Sequence, residues 1–224
     1  MQRYLSEFLG TFILVLTGCG AIAVNGLTGG EPQFVGIGII WGLIVMAVIF
    51  TIGDVSGAHI NPAVTIAFWV ARRFSALDVV PYIVAQCLGA TAASGVLCYL
   101  FPEQVHTGVT HFKPEVVTLA QAFVLEVLLT WFLMFVVINV STGAKEKGIT
   151  AAIALGGVIS IDVLFGGQVT GASMNPARSL GPALISRDFD QLWVYIAGPI
   201  IGAILAIGCA AAIRPGVCCP PKGP

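Results

Sequence analysis

Long apolar runs alternate with short polar breaks along this chain. The runs cover residues 5–24, 34–53, 79–100, 117–139, 149–165 and 192–213. About 20 apolar residues cross the hydrocarbon core of a bilayer as a helix. The pattern therefore predicts six membrane-spanning helices, with Gly, Pro and charged residues in the connections between them.

Two further apolar runs, 62–70 and 176–185, are too short to span a bilayer. Runs of this length are more typical of re-entrant or buried segments than of spanning helices. Each of them begins at the proline of an Asn-Pro-Ala triplet, which makes them candidates for two matching half-helices.

Composition supports a membrane protein and excludes most soluble classes. Of the 224 residues, 57% are hydrophobic and only 9% are charged, whereas a soluble domain carries about 25% charged residues. The formal net charge of −1 predicts no basic surface for nucleic acid. Because six spans consume most of the chain, we expect a single domain over residues 1–224. No metal-ligand spacing occurs among the cysteines, and we expect neither a metal nor a cofactor.

The positively charged residues predict the orientation, because Lys and Arg are enriched in cytoplasmic loops. Seven of them share the side that holds both termini, and only Lys113 and Arg187 lie opposite. We therefore expect a multi-pass protein of the plasma or inner membrane with a cytoplasmic tail at 215–224. In that tail, Cys218 and Cys219 are either unmodified or reversibly acylated. The seven residues are Arg3, Arg72, Arg73, Lys145, Lys147, Arg214 and Lys222.

The two halves of the chain, about 1–113 and 114–214, repeat one pattern. Glu7-x-x-x-Thr11-Phe12 matches Glu126-x-x-x-Thr130-Trp131, and the two Asn-Pro-Ala triplets match at a similar separation. Each half contributes three spans, so the second copy enters the membrane from the opposite side. Inverted repeats with interrupted helices place a pathway near the bilayer midplane.

Asn is a preferred N-cap and Pro a preferred first helical residue, so each triplet predicts the start of a half-helix. Inversion brings the two positive helix ends together from opposite sides, where they oppose cations and protons but not neutral solutes. The asparagines can donate hydrogen bonds to a solute, and backbone carbonyls before each triplet can form a ladder of acceptors. The alternative is two ordinary capped turns. The triplets are Asn61, Pro62, Ala63 and Asn175, Pro176, Ala177; the ladder residues are Gly57, Ala58, His59, Ile60, Gly171, Ala172, Ser173 and Met174.

The segments SGAHINPAVT (56–65) and GASMNPARS (171–179) resemble signatures of the aquaporin, or major intrinsic protein, family. The resemblance covers essentially the whole chain. It implies an all-α membrane protein with six tilted spans and two re-entrant half-helices in a right-handed bundle. It also implies one pore per subunit, a homotetramer in lipid, and passive conduction of water or small uncharged solutes.

The resemblance further implies a narrow constriction formed by Trp41, Val163, Ala172 and Arg178. Water-selective members have Phe and His at the first two of these positions, so this set predicts a wider and less polar opening. The set is similar to that of the nodulin-like branch, some of whose members pass glycerol, ammonia, lactic acid, or metalloid acids such as arsenite and boric acid. We expect conduction of such solutes, and of hydrogen peroxide, with exclusion of protons and ions. The alternative is a strictly water-selective channel.

Glu7 and Glu126 are ionisable residues inside spans, where charge is costly and usually functional. Their equivalent positions favour a structural role in which each carboxylate anchors the loop before a half-helix. A proton relay is the alternative. For His59, anchoring of the loop is favoured over gating by protonation.

Two other classes of protein compete with a passive channel. An ion-coupled secondary transporter also uses inverted repeats and broken helices, but it needs an alternating gate and usually a coupling site. A membrane enzyme needs a cluster of catalytic groups, and His59, Glu7 and Glu126 are distributed too widely along the repeats to suggest one. We therefore expect no enzyme activity.

Overall fold

The structure, a computed structural model, describes residues 1–30, 32–104, 106–141, 147–214 and 216. Within these ranges the chain forms eight α-helices and one short 3-10 turn. Lys145, Lys222, Cys218 and Cys219, which entered the orientation and acylation predictions, lie outside the described residues. The helices are α1 (Gln2–Leu27), α2 (Gln33–Ser56), α3 (Pro62–Val70), α4 (Ala76–Leu100), α5 (Leu119–Val140), α6 (Lys147–Thr170), α7 (Pro176–Ser186) and α8 (Leu192–Ile213).

Six of the helices in the described part of the chain are long and apolar enough to cross a membrane. They are α1, α2, α4, α5, α6 and α8, and the chain is a multi-pass integral membrane protein. The largest difference from the sequence prediction is at α6, which continues five residues past 165 to Thr170. Gly166 and Gly167 do not break this helix, because Leu129 of α5 and Phe34 of α2 pack directly against them.

Side-chain caps fix several helix starts. The side chain of Ser75 accepts a hydrogen bond from the backbone N–H of Leu77 at the start of α4. Thr118 and Gln121 form a reciprocal capping box at the start of α5. Such caps satisfy backbone donors that a helix leaves unpaired at its first turn.

Each half-helix packs against helices of both repeats. In the first repeat α1 packs against α2 and α4, and in the second α5 packs against α6 and α8. The half-helix α3 lies against α4 of its own repeat and α8 of the other. The half-helix α7 lies against α8 of its own repeat and α4 of the other.

Two glycines set the closest helix approaches within the repeats. A Cβ on Gly89 of α4 would collide with backbone atoms of Phe8 and Phe12 in α1. A Cβ on Gly202 of α8 would collide with backbone atoms of Val127 and Trp131 in α5. Each pair of helices therefore packs backbone against backbone at these points, which is typical of helix contacts inside membranes.

Candidate solute pathway

A cavity of about 550 Å³ runs between the two repeats. Its wall includes both half-helix asparagines, Asn61 and Asn175, and side chains from α1, α2, α5 and α6. Among the residues proposed from the sequence, those that line it are Trp41, Gly57, Ala58, His59, Ile60, Asn61, Val163, Ala172, Ser173, Met174, Asn175 and Arg178. Gly171 is not among the described residues that line it and lies beside Thr110 instead.

The N-termini of the two half-helices meet inside the protein. The side-chain oxygen of Asn61 accepts from the backbone N–H of Ala63 at 2.9 Å. The side-chain oxygen of Asn175 accepts from Ala177 N at 3.0 Å and from Arg178 N at 3.3 Å. Pro62 and Pro176 are the first helical residues, and both are buried together with Ala63 and Ala177. Each triplet thus starts a helix that points its positive end toward the other.

The amide nitrogens of these asparagines cross from one repeat to the other. Asn61 Nδ2 donates to the carbonyl oxygen of Met174 at 2.7 Å. Asn175 Nδ2 donates to the carbonyl oxygen of Ile60 at 2.8 Å. The last carbonyl of each loop is therefore engaged, and each asparagine keeps a second N–H for a solute.

The loops before the half-helices have an unusual backbone. Ala58 and Ile60 have φ of 46° and 43°, and Ala172 and Met174 have φ of 41° and 53°. Residues with side chains rarely adopt this left-handed conformation, and each costs about 1–3 kcal/mol when held there. The same conformations recur in both loops, which makes the strain a property of the repeat.

Glu7 and Glu126 hold these strained loops in place. Glu7 accepts from the backbone N–H groups of His59 at 2.9 Å and Ile60 at 2.6 Å. Glu126 accepts from the backbone N–H groups of Ser173 at 3.0 Å and Met174 at 3.1 Å. Both carboxylates are fully buried, and the loop amides supply the hydrogen bonds that a buried charge requires.

His59 lies in an aromatic cluster. Its ring packs against Phe68, Phe74 and Tyr82 with centroid distances of 4.8, 4.7 and 5.2 Å. Its Nδ1 lies 3.2 Å from Thr65 Oγ1 in α3. These contacts fix the imidazole between the first loop and the helix that follows it, with one edge on the cavity.

Trp41, Val163, Ala172 and Arg178 all line the cavity, and all four are nearly buried. Arg178 Nη1 donates to the carbonyl oxygen of Gly108 at 2.6 Å, and the guanidinium carbon lies 5.1 Å from the centroid of the Trp41 ring. Arg178 is the only Lys or Arg on the wall among the described residues. One corner of the opening is therefore cationic, while Trp41 and Val163 make it apolar elsewhere.

No pattern in the sequence indicated a role for Gly108. It lies in the connection between α4 and α5, where nothing in the local pattern indicates that its carbonyl meets Arg178. A second contact joins the same connection to α7, because Thr110 Oγ1 donates to Ser179 Oγ at 2.9 Å. This connection is part of the site, since it fixes the direction of Arg178, the only Lys or Arg side chain described on the wall.

Asp162 lies next to Val163 inside α6. A span ending at 165 places it near a helix end, but α6 continues to Thr170 and Asp162 is 1% exposed. Its Oδ2 has no hydrogen-bond partner among the described residues. Asp162 is thus a buried acid behind the pore wall, and a polar residue so close to Val163 was the available signal.

Comparison with known proteins gives a consistent result. A family model described as "Major intrinsic protein" matches residues 1–209. The chain is 43% identical to "Aquaporin NIP1-1" of Zea mays over 206 residues, covering 91% of this chain and 72% of that protein. It is 44% identical to "Nodulin-26" of Glycine max over 204 residues, covering 91% of this chain and 74% of that protein. The X-ray structure of the aquaglyceroporin from Plasmodium falciparum superposes with a TM-score of 0.86 at 27% identity, covering 96% of this chain and 98% of that one.

Proposed function

The chain belongs to the major intrinsic protein family, in its nodulin-like aquaporin branch, and on this premise we propose that its cavity passes small uncharged solutes as well as water. The solutes we propose are glycerol and metalloid acids such as arsenite and boric acid, with ammonia and hydrogen peroxide as smaller ones. Conduction is passive, follows the solute gradient and needs no catalytic group, so we propose no enzyme activity.

The composition of the constriction carries this proposal. Trp41 and Val163 provide apolar walls, Ala172 is small, and Arg178 provides the polar corner. A polyol or an undissociated acid has carbon or metalloid atoms on one side and hydroxyl groups on the other. Such a molecule matches an opening with one polar and one apolar side, whereas an ion loses hydration that this wall does not replace.

The loops and half-helices support the exclusion of charge. Two positive helix ends and the Arg178 guanidinium face the same pathway, and each disfavours a cation or a proton. We propose that Glu7 and Glu126 serve as anchors for the loops. Their oxygens are engaged by buried backbone amides, which leaves them unsuited to carry protons.

Stopped-flow light scattering on proteoliposomes tests the proposed solute range. Gradients of water, glycerol and boric acid are applied separately to vesicles with and without protein. The expected result is a protein-dependent flux of all three, linear in the gradient. Water flux alone would favour the strictly water-selective alternative, and saturable flux that follows an ion gradient would favour a secondary transporter.

We also propose a homotetramer in the plasma or inner membrane, with one channel domain over 1–224 built from repeats 1–113 and 114–214 and with both termini in the cytoplasm. The distribution of basic residues supports the orientation. Cysteine labelling with a membrane-impermeant maleimide tests it, because Lys113 and Arg72 are both exposed in connections. Lys113→Cys is expected to react in intact cells, and Arg72→Cys only after the membrane is opened. Light scattering of the detergent-solubilised protein tests the tetramer.

A further inference from the structure

We propose that Gly18 of α1 is a selectivity-determining residue, because its lack of a side chain leaves the space that the Trp41 indole occupies at the constriction. Gly18 is not on the cavity wall, and it acts by setting the position of a side chain that is. The inference rests on the proposed function, in which Trp41 forms one wall of the opening.

Gly18 and Trp41 are in direct contact. A Cβ built on Gly18 would overlap three carbons of the indole, Cε2, Cζ2 and Cη2. The indole therefore lies against the bare backbone of α1, in space that any other residue at position 18 would fill. Trp41 is 7% exposed, so the indole is almost fully enclosed by its neighbours.

The indole also lies close to Arg178. The guanidinium carbon lies 5.1 Å from the centroid of the Trp41 ring, and the Gly108 carbonyl fixes the guanidinium through a hydrogen bond of 2.6 Å. Both residues line the cavity. An indole displaced from α1 changes its position beside the guanidinium and in the cavity wall, so the shape of the pathway at this point changes.

Helix α1 has no room to move back from the indole. Its backbone at Phe8 and Phe12 is packed directly on Gly89 of α4. Cys19, the residue after Gly18, lies against the connection that carries Gly108, because a Cβ on Gly108 would be 3.4 Å from the Cys19 sulfur. An added methyl group at position 18 therefore displaces the indole rather than the helix.

The test compares Gly18→Ala with the matched variant Gly20→Ala. Gly20 is also a buried glycine of α1, but a Cβ there meets only Leu97 Cδ2, at 3.4 Å. Overpacking at the constriction is expected to lower glycerol permeability per channel about tenfold in Gly18→Ala, and water permeability by less than about twofold. Gly20→Ala is expected to keep the wild-type ratio of the two permeabilities. A loss of the same size in both variants would overturn the proposal.

A second pair of measurements separates this role from a general packing defect. In a Trp41→Ala background there is no indole to displace, so adding Gly18→Ala is expected to leave the glycerol-to-water ratio unchanged. If Gly18→Ala still changes the ratio to the full extent in that background, Gly18 does not act through Trp41 and the proposal is wrong. If Gly18→Ala alone cannot be recovered as folded protein, Gly18→Ala combined with the smaller Trp41→Phe is expected to be recovered, and its absence would count against the proposal.

The outcome for Gly18 is distinguishable from the outcome for the solute range. If the wild-type protein passes water but neither glycerol nor boric acid, the proposed solutes are wrong. The effect of Gly18 on the position of Trp41 is then tested by water permeability alone. Gly18→Ala is expected to lower it when Trp41 is present and to leave it unchanged in Trp41→Ala, and any other pattern overturns the inference.

Discussion

Glu7 and Glu126 hold equivalent loops, but Glu7 accepts one more hydrogen bond than Glu126. Within the described residues, both carboxylates accept from two backbone amides and one hydroxyl, that of Ser56 or Thr170. The additional donor to Glu7 is the amide of Gln86 on α4, at 2.7 Å. The matching position on α8 is Pro199, which has no side-chain donor.

Replacing either glutamate with Gln is expected to destabilise the protein before it changes conduction. A Gln side chain presents an N–H group where the carboxylate accepted, so one backbone amide of the loop is left without an acceptor. An unsatisfied buried donor costs about 1–3 kcal/mol. The measurement is the thermal unfolding midpoint of the detergent-solubilised protein for Glu7→Gln and Glu126→Gln.

The exposed Glu103 provides the control, because Glu103→Gln removes a carboxylate that holds no loop. Its unfolding midpoint is expected to match the wild type. A Glu7→Gln protein that folds normally but changes proton permeability would contradict the anchoring role and favour a relay.

Val163→His combined with Ala172→Cys is expected to reduce glycerol permeability about tenfold and water permeability by less than about threefold. Both changes add bulk at the constriction, and the imidazole adds a polar group to an apolar wall. Stopped-flow measurements of the two permeabilities test this. Ile161→Ala on the exposed face of the same helix is the control. Equal loss of glycerol and water flux would mean that the constriction lies elsewhere.

Arg178→Ala is expected to raise proton or cation permeability while solute permeability is kept. The variant removes a buried cation from the narrow part of the pathway and frees the Gly108 carbonyl that held it. A fixed charge in a narrow, poorly solvated pore strongly repels ions of the same sign. Fluorescence of a pH-sensitive dye inside proteoliposomes measures the proton flux.

Arg187→Ala is the matched control for Arg178→Ala, since Arg187 is exposed just after α7. Its proton permeability is expected to be as low as that of the wild type. If the proton permeability of Arg178→Ala is equally low, the guanidinium is not required for the exclusion of protons.

Gly202→Ala is expected to lower the stability of the bundle by about 1–3 kcal/mol, the usual range for overpacking. Its methyl group would collide with the backbone of α5 at Val127 and Trp131. Gly208→Ala lies on the same helix with no atom within 4 Å of the added carbon. The thermal midpoint of the second variant is expected to be unchanged, and equal shifts in both would show that close approach of α5 and α8 is unimportant.

Most of the fold was predictable because membrane insertion imposes strong rules on the sequence. The last span was predicted at 192–213 and α8 has the same bounds. The short run 62–70 also coincides with α3, because Asn and Pro mark its start. The predicted end of α6 at residue 165 was wrong because glycine occurs both at helix ends and inside packed helices. At Gly166 the missing side chain lets Leu129 of α5 pack against the helix backbone.

The geometry of the site was less predictable than the identity of its residues. The left-handed backbone at Ile60 and Met174 runs against the preference of residues with side chains, and hydrogen bonds to the buried carboxylates and to the opposite repeat stabilise it. The contact between Gly108 and Arg178 joins segments 70 residues apart, and a single sequence contains no pattern for such a pairing. Local sequence patterns therefore indicated where the half-helices begin. The orientation of the loop backbone and of the Arg178 side chain depends on tertiary packing.

The crossed amide bonds between Asn61 and the loop of Asn175 impose an order on biosynthesis. When the first half of the chain leaves the ribosome, Asn61 has no Met174 carbonyl to bind, and α3 has no α8 to lie against. The first half-helix therefore gains its contacts with the second repeat only after that repeat has been synthesised. Because the cavity wall includes residues from both repeats, a chain that ends after the first repeat lacks one side of the pathway.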